Sequence, residues 1–201
     1  MDSSTRSINF PQMPNFGINI PQLPKFGTGG INLPQLPNLN SHYPEPDDDD
    51  QLLSAVESND VYEVDKLLKE GLDPTEDDYA AVYRSCEIRS MEIIDRFLDD
   101  PRVDVSICGT HMLHAAVADG DLDIVVRLLK NNKINPAFNK NIIVYIACIN
   151  EKLSILKRLL EDNRIDPSDN DNAALKISKE QKLKRFVDIL LQDPRVHNKE
   201  K

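Results

Sequence analysis

Residues 111–129 read His111-Met112-Leu113-His114-Ala115-Ala116-Val117-Ala118-Asp119-Gly120-Asp121-Leu122-Asp123-Ile124-Val125-Val126-Arg127-Leu128-Leu129. Two apolar stretches meet at a glycine, and the second places Leu122, Val125, Leu128 and Leu129 three and four apart, the spacing of one helix face. The closing apolar pair recurs along the chain as Leu67-Leu68, Phe97-Leu98, Leu128-Leu129, Leu159-Leu160 and Leu190-Leu191. An apolar turn residue follows each pair, at Leu72, Val103, Ile134, Ile165 and Val196, in constant steps of 31. A fixed period between about 20 and 50 residues marks stacked supersecondary units, each burying its apolar face only against its neighbours. Beyond residue 46 the prolines are Pro74, Pro101, Pro136, Pro167 and Pro194. All of them fall just after a second helix, where proline ends a helix without breaking one.

The expected fold is all-α. First helices are predicted over about 51–58, 79–87, 111–118, 142–149 and 173–180, and second helices over about 61–69, 91–99, 122–130, 153–161 and 183–192. The units run over about 50–74, 79–105, 111–136, 142–167 and 173–198, inside one solenoid domain over 47–198.

These residues resemble the ankyrin repeat. The family's unit reads T-P-L-H-x-A-A-x-x-G-x-L-x-I-V-x-x-L-L, and 111–129 follow it most closely. The first unit follows it through Ala55, Val61, Val64, Leu67, Leu68, Gly71, Leu72 and Asp73, and the fourth through Ala147, Leu153, Ile155, Leu159 and Leu160. There are departures. The family's Thr-Pro is absent, and Gly120 alone keeps the glycine between the helices, with Asn59, Arg89, Glu151 and Lys182 in its place. A period about two residues below the usual 33 predicts short fingers between units. The phrases Asp100-Pro101-Arg102, Ile165-Asp166-Pro167-Ser168 and Asp193-Pro194-Arg195 resemble a divergent subtype found in giant DNA viruses and amoebae.

The resemblance implies a non-enzymatic protein-binding module, intracellular and cytoplasmic (in the host cytoplasm for a viral chain). A partner would be held on the fingers and first-helix ends. Candidate contact residues there are Ile88, Ala118, Phe138, Ile149 and Asn150. The apolar ones are either projecting anchors or side chains folded back into the core. The resemblance also implies that the His114 ring ties down its turn.

Charge is sharply partitioned. Residues 47–110 hold nineteen acids and six bases, whereas 111–201 hold thirteen acids and sixteen bases. The acidic half repels nucleic acid and anionic membrane, and the basic rear leaves an alternative reading as a nucleic-acid-associated protein. In the fifth unit Lys176, Lys179, Lys182, Lys184 and Arg185 crowd together, as expected of a polar terminal unit that keeps the array monomeric. Asp47–Asp50 is expected to cap the first helix.

Residues 1–46 hold eight of thirteen prolines and four of seven glycines, with Ile8-Asn9-Phe10-Pro11-Gln12-Met13-Pro14 repeated at 18–24 and 31–37 as I-N-x-P-Q-x-P. Two prolines in seven residues forbid a helix and weaken any strand, which predicts a disordered, partly polyproline II tail with three P-x-x-P cores. No apolar leader is visible in 1–30, and the longest apolar run, Ile142–Ile149, is far below the roughly 20 residues of a membrane helix, so a soluble protein is expected.

No catalytic, cofactor or metal site is predicted. His111 and His114 lack completing ligands. Asp166, Asp169 and Asp171 lack the glycine and glutamate of a calcium loop and read as a capped turn. The glycines at 27–30 precede no helix. Cys86, Cys108 and Cys148 follow no metal spacing; Cys86 and Cys148 sit two units apart, too far for a disulfide, and read as small buried residues.

Overall fold

A computed structural model describes residues 51–197. The expectations for 1–46, for Asp47–Asp50 and for the last residue of the fifth unit lie outside that range. The described residues form eleven helices and no strand. Ten of them pair into units: α1 (Gln51–Glu57) with α2 (Val61–Glu70), α3 (Glu76–Glu87) with α4 (Met91–Asp99), α5 (Cys108–Asp119) with α6 (Leu122–Leu129), α7 (Phe138–Ile149) with α8 (Leu153–Leu160), and α9 (Asp169–Glu180) with α10 (Lys184–Gln192). A short α11 (Pro194–His197) follows.

First helices stack in one layer, α1 on α3, α3 on α5, α5 on α7 and α7 on α9. Second helices pack as α2 on α4, α6 on α8 and α8 on α10, whereas α4 and α6 approach less closely. The repeating apolar residues fill one continuous core. Phe97, Leu128, Leu159 and Leu190 are wholly buried, as are Val82, Leu113 and Ile143 from the first helices.

The turn between the two helices of every unit needs a left-handed residue. Asn59 (φ 54°), Arg89 (φ 58°), Glu151 (φ 55°), Lys182 (φ 57°) and Gly120 (φ 95°) fill it. An L-residue in that region costs about 1–2 kcal/mol, and glycine avoids the cost while giving back about 0.5–1 kcal/mol in unfolded-chain entropy. Glu151 is exposed. Glu151→Gly is therefore expected to stabilise the fold by about 0.5–1 kcal/mol, read as a rise in Tm of about 1–3 °C in a thermal melt.

The joints between units carry a recurring clamp. In the closing turn of the second unit, Asp100 Oδ1 accepts from the Arg102 backbone N–H (2.9 Å) and from Arg102 Nε (2.9 Å), and Asp100 Oδ2 accepts from Nη2 (2.6 Å). The oriented guanidinium then donates backward to the carbonyls of Leu72 (2.7 Å) and Leu68 (3.3 Å) in the first unit. Asp162 and Arg164 repeat the arrangement onto Ile134 O (3.2 Å) and Leu129 O (2.7 Å), and Asp193 and Arg195 onto Ile165 O (2.8 Å) and Leu160 O (2.7 Å). A helix end leaves carbonyls without partners, and a planar five-donor fork can satisfy two of them while gripping a carboxylate.

At the corresponding positions of the third unit stand Asn131 and Lys133. Asn131 Oδ1 still accepts from the Lys133 backbone N–H (2.9 Å), but an ammonium has no fork. The joint between the second and third units is thus the one without a guanidinium clamp among the described residues, and it is also where α4 and α6 pack least closely.

Candidate interaction surface

Fingers connect each unit to the next, and their geometry follows from residue type. In the second, fourth and fifth units the first helix opens with three consecutive left-handed residues: Asp77, Asp78 and Tyr79 (φ 47–68°), Asn139, Lys140 and Asn141 (φ 51–55°), and Asn170, Asp171 and Asn172 (φ 52–57°). Asn and Asp tolerate this region best among residues with a side chain. The third unit has Cys108, Gly109 and Thr110 there and runs as ordinary right-handed helix. A Cβ on Gly109 would meet Ile134 Cδ1 and Cγ1 at 2.8 Å, so the absence of a side chain lets the finger lie against the next turn.

The fingers are tied by side-chain amides and carboxylates. Asn141 Oδ1 accepts from the Asp166 backbone N–H (2.9 Å), and its Nδ2 donates to Asp169 Oδ2 (3.0 Å). Asp166 Oδ1 accepts from the Ser168 backbone N–H (2.9 Å) and hydroxyl (2.6 Å), so this acidic segment is a capped turn.

The five candidate contact residues divide into two places. Phe138 opens α7 on the finger side and is 40% exposed. Ile88, Ala118, Ile149 and Asn150 lie on the row formed by the ends of α3, α5 and α7. Ile88 is half-buried, Ala118 and Ile149 are 7% and 9% exposed and belong to the core, and half-buried Asn150 donates Nδ2 to Ile146 O (3.0 Å). That row is laced by polar contacts: Lys152 Nζ donates to Asp119 O (2.9 Å) and its chain lies over Gly120, while Arg89 pairs with Asp121 (3.1 Å).

Phe138 covers two histidines of α5. Its ring centroid lies 6.2 Å from that of His111, edge-on, and 5.9 Å from that of His114. His114 is 2% exposed, and neither of its ring nitrogens has a hydrogen-bond partner among the described residues. The tether implied by the family resemblance is therefore absent among the described residues, and the ring packs under Phe138. Burial pushes the His114 pKa down to about 3, with the neighbouring His111 adding to the effect, and burial pushes His111 down to about 4.

Both rings are neutral in the fold and take up protons more readily when unfolded, so stability is full above pH 6.5 and falls as pH drops below it. At pH 5 the loss from His114 alone is expected at about 2 kcal/mol, from 1.36 kcal/mol per pH unit. Urea unfolding at pH 7 and pH 5 checks this, with a smaller difference expected in His114→Leu. The clamp carboxylates act in a lower window. Hydrogen bonds from Arg102, Arg164 and Arg195 hold Asp100, Asp162 and Asp193 below the ordinary carboxylate value, so their contribution is lost only as pH falls below about 4.

The thiols of Cys86, Cys108 and Cys148 are free and buried, and desolvation raises all three, Cys108 and Cys148 to about 12. Thiols held protonated in this way are poor nucleophiles and metal ligands. Among the described residues, no group of three or more His, Cys, Asp or Glu is placed to hold a metal.

Sequence reasoning did not find the Asp-x-Arg clamp, although its signal stands at fixed positions 100, 162 and 193 and again two residues on, with Asn131 and Lys133 at the remaining pair. The family model for ankyrin repeats (three copies) matches residues 113–200. No curated protein and no solved structure matches the chain. Residues 113–200 are thus similar to ankyrin repeats, and the helix pairs stacked unit on unit at the sequence period from α1 to α10 are consistent with an all-α ankyrin solenoid.

Proposed function

We propose that this chain is a non-enzymatic scaffold or adaptor that holds a protein partner across its fingers and first-helix ends, in the cytoplasm. Ankyrin repeats generally mediate protein–protein interaction, and among the described residues no helix is long and apolar enough to cross a membrane. Phe138 is the observation that carries the reading: a 40% exposed aromatic on a finger row of polar residues, seated on a rigid buried plate. Partly exposed rings on a rigid base are the usual anchors of protein interfaces. Ile88 and Asn150 offer a second set of contacts at the opposite ends of the first helices, with Ala118 and Ile149 as the floor beneath them. The domain limits 47–198 and the arm at 1–46 belong to the same proposal, with the arm's P-x-x-P copies as a second, multivalent binding element.

The test compares proteins captured from nuclease-treated native lysate by the tagged full chain, by residues 47–201, and by the full chain with Phe138→Ala. A protein set shared by the first two and lost in the third supports the proposal. Retention of the set by Phe138→Ala contradicts the role of the finger, and loss on truncation moves recognition to the arm. The alternative, nucleic-acid binding by the fifth unit, rests on exposed Lys182, Lys184 and Arg185. Phe186 is only 6% exposed and offers no stacking face, which weakens that alternative. It requires salt-dependent RNA or DNA binding that reversal of those three charges abolishes.

A further inference from the structure

One position of the repeat, in steps of 31, holds Glu76, Ile107, Phe138 and Asp169, each at or next to the start of a first helix on the finger side. Their surroundings differ. In the fifth unit the acids are already engaged: Asp169 accepts from Asn141 Nδ2 (3.0 Å) and from the Asn170 backbone N–H (2.8 Å), and Asp171 pairs with Lys176. In the third unit Asp104 accepts from the Ser106 hydroxyl (2.6 Å) with Lys133 in electrostatic reach. Ile107 is half-buried there, and Cys108, Gly109 and Thr110 are buried. In the second unit Glu76, Asp77 and Asp78 are all exposed, and their carboxylates have no ion pair or hydrogen bond among the described residues.

Two points on the row are therefore open to a partner: the Phe138 ring and the acidic tip of α3, with the covered third finger between them. Stacked helices lie about 8–10 Å apart, which puts points two units apart at about 16–20 Å. An extended chain covers that span in about five or six residues. The row also has a direction. Exposed Lys140 is the one cation among residues 76–78, 107–109, 138–140 and 169–171, and it stands two residues beyond Phe138. It repels a base beside the aromatic ring, whereas the tip of α3 attracts one.

We propose that the finger row binds an extended basic protein segment, an apolar side chain against Phe138 and a cluster of Lys or Arg about five or six residues away against Glu76, Asp77 and Asp78. This rests on the reading of Phe138 as a partner anchor and adds the partner's chemistry and direction. The acidic contact is solvent-exposed, so it is salt-sensitive and acts more on partner choice and encounter rate than on affinity.

Selection of randomised peptides longer than that span on the tagged full chain tests the proposal. Enriched sequences are expected to place Lys or Arg five or six residues to one side of an apolar residue, with binding that weakens as salt is added. Phe138→Ala is expected to erase the apolar preference and weaken the enriched peptides about tenfold or more. Asp77→Asn with Asp78→Lys is expected to erase the basic preference and weaken them about fivefold or more. Tm is expected to hold, because Asn139 and Lys140 occupy the same two positions two units on, at φ 51° and 55°. Lys140→Asp is expected to extend the basic preference up to the apolar residue, a gain that misfolding does not mimic. Glu92→Lys and Asp123→Lys, exposed on α4 and α6, are expected to change neither preference. Peptides without a basic preference, or with one that survives substitution at 77 and 78, overturn the proposal; if Phe138→Ala still erases the apolar preference, the anchor reading stands without it. Equal loss in the Glu92→Lys and Asp123→Lys variants shows attraction to the net charge of −10 and overturns it, as does a selection that enriches nothing.

Discussion

Leu128→Ala is expected to lower the unfolding free energy by about 2–5 kcal/mol. Leu128 is wholly buried on α6, and Val125 on the same face and Met112 of the same core are equally inaccessible. Removing the branched end of the side chain forfeits its transfer free energy and leaves a cavity that a packed helix layer closes only in part. Leu122 on the same helix supplies an internal comparison. It is 37% exposed, so Leu122→Ala loses less buried area and opens no closed cavity; its cost is expected below about 1 kcal/mol. Urea unfolding of the two variants side by side checks the account. Equal losses would show that burial does not distinguish the two positions.

Arg164→Ala is expected to cost about 2–4 kcal/mol, nearly as much as a core cavity, although it sits in a turn. Its side chain is 34% exposed, but it holds Asp162, whose carboxylate is 11% exposed, and satisfies two carbonyls of the preceding unit. Truncation leaves a nearly buried charge unpaired and frees one acceptor at the end of α6 and one in the turn that follows, and partial solvent access keeps the cost below that of a fully buried pair. Arg164→Lys retains the charge and loses the fork, so most of the destabilisation is expected to remain. The converse is expected at the unclamped joint. Asn131→Asp with Lys133→Arg supplies both halves of the clamp, and a gain of about 1–2 kcal/mol is expected from two new charge-assisted hydrogen bonds after the cost of ordering the side chain.

The helices were legible from sequence because two independent signals agree: apolar residues three and four apart and proline just past each second helix. The left-handed openings of α3, α7 and α9 were not legible. Asn and Asp at 139, 141, 170, 171 and 172 permit that conformation without requiring it, and Tyr79 gives no local hint of it. The clamp was hidden for a different reason. Asp-Pro-Arg reads locally as a turn, and its meaning lies in carbonyls 30 to 35 residues earlier, which only the stacking brings near. On the candidate surface, Ile149 shows the limit of pattern reading. At the end of a first helix it could project or fold inward, and in the stack it joins the core at 9% exposure. Phe138 stays exposed because the finger lifts it onto the two histidines.

The central claim is that this chain is a nearest-neighbour stack whose joints are set one by one, with the weakest between the second and third units. In such an array stability is a sum of unit and joint contributions, and a weak joint divides it into separately opening segments. Native-state hydrogen exchange on the full chain tests this most directly. Amides of α1 to α4 are expected to open together at lower free energy than those of α5 to α10, and Asn131→Asp with Lys133→Arg is expected to merge the two groups. A single opening free energy across all ten helices, unchanged by those two substitutions, would contradict the account.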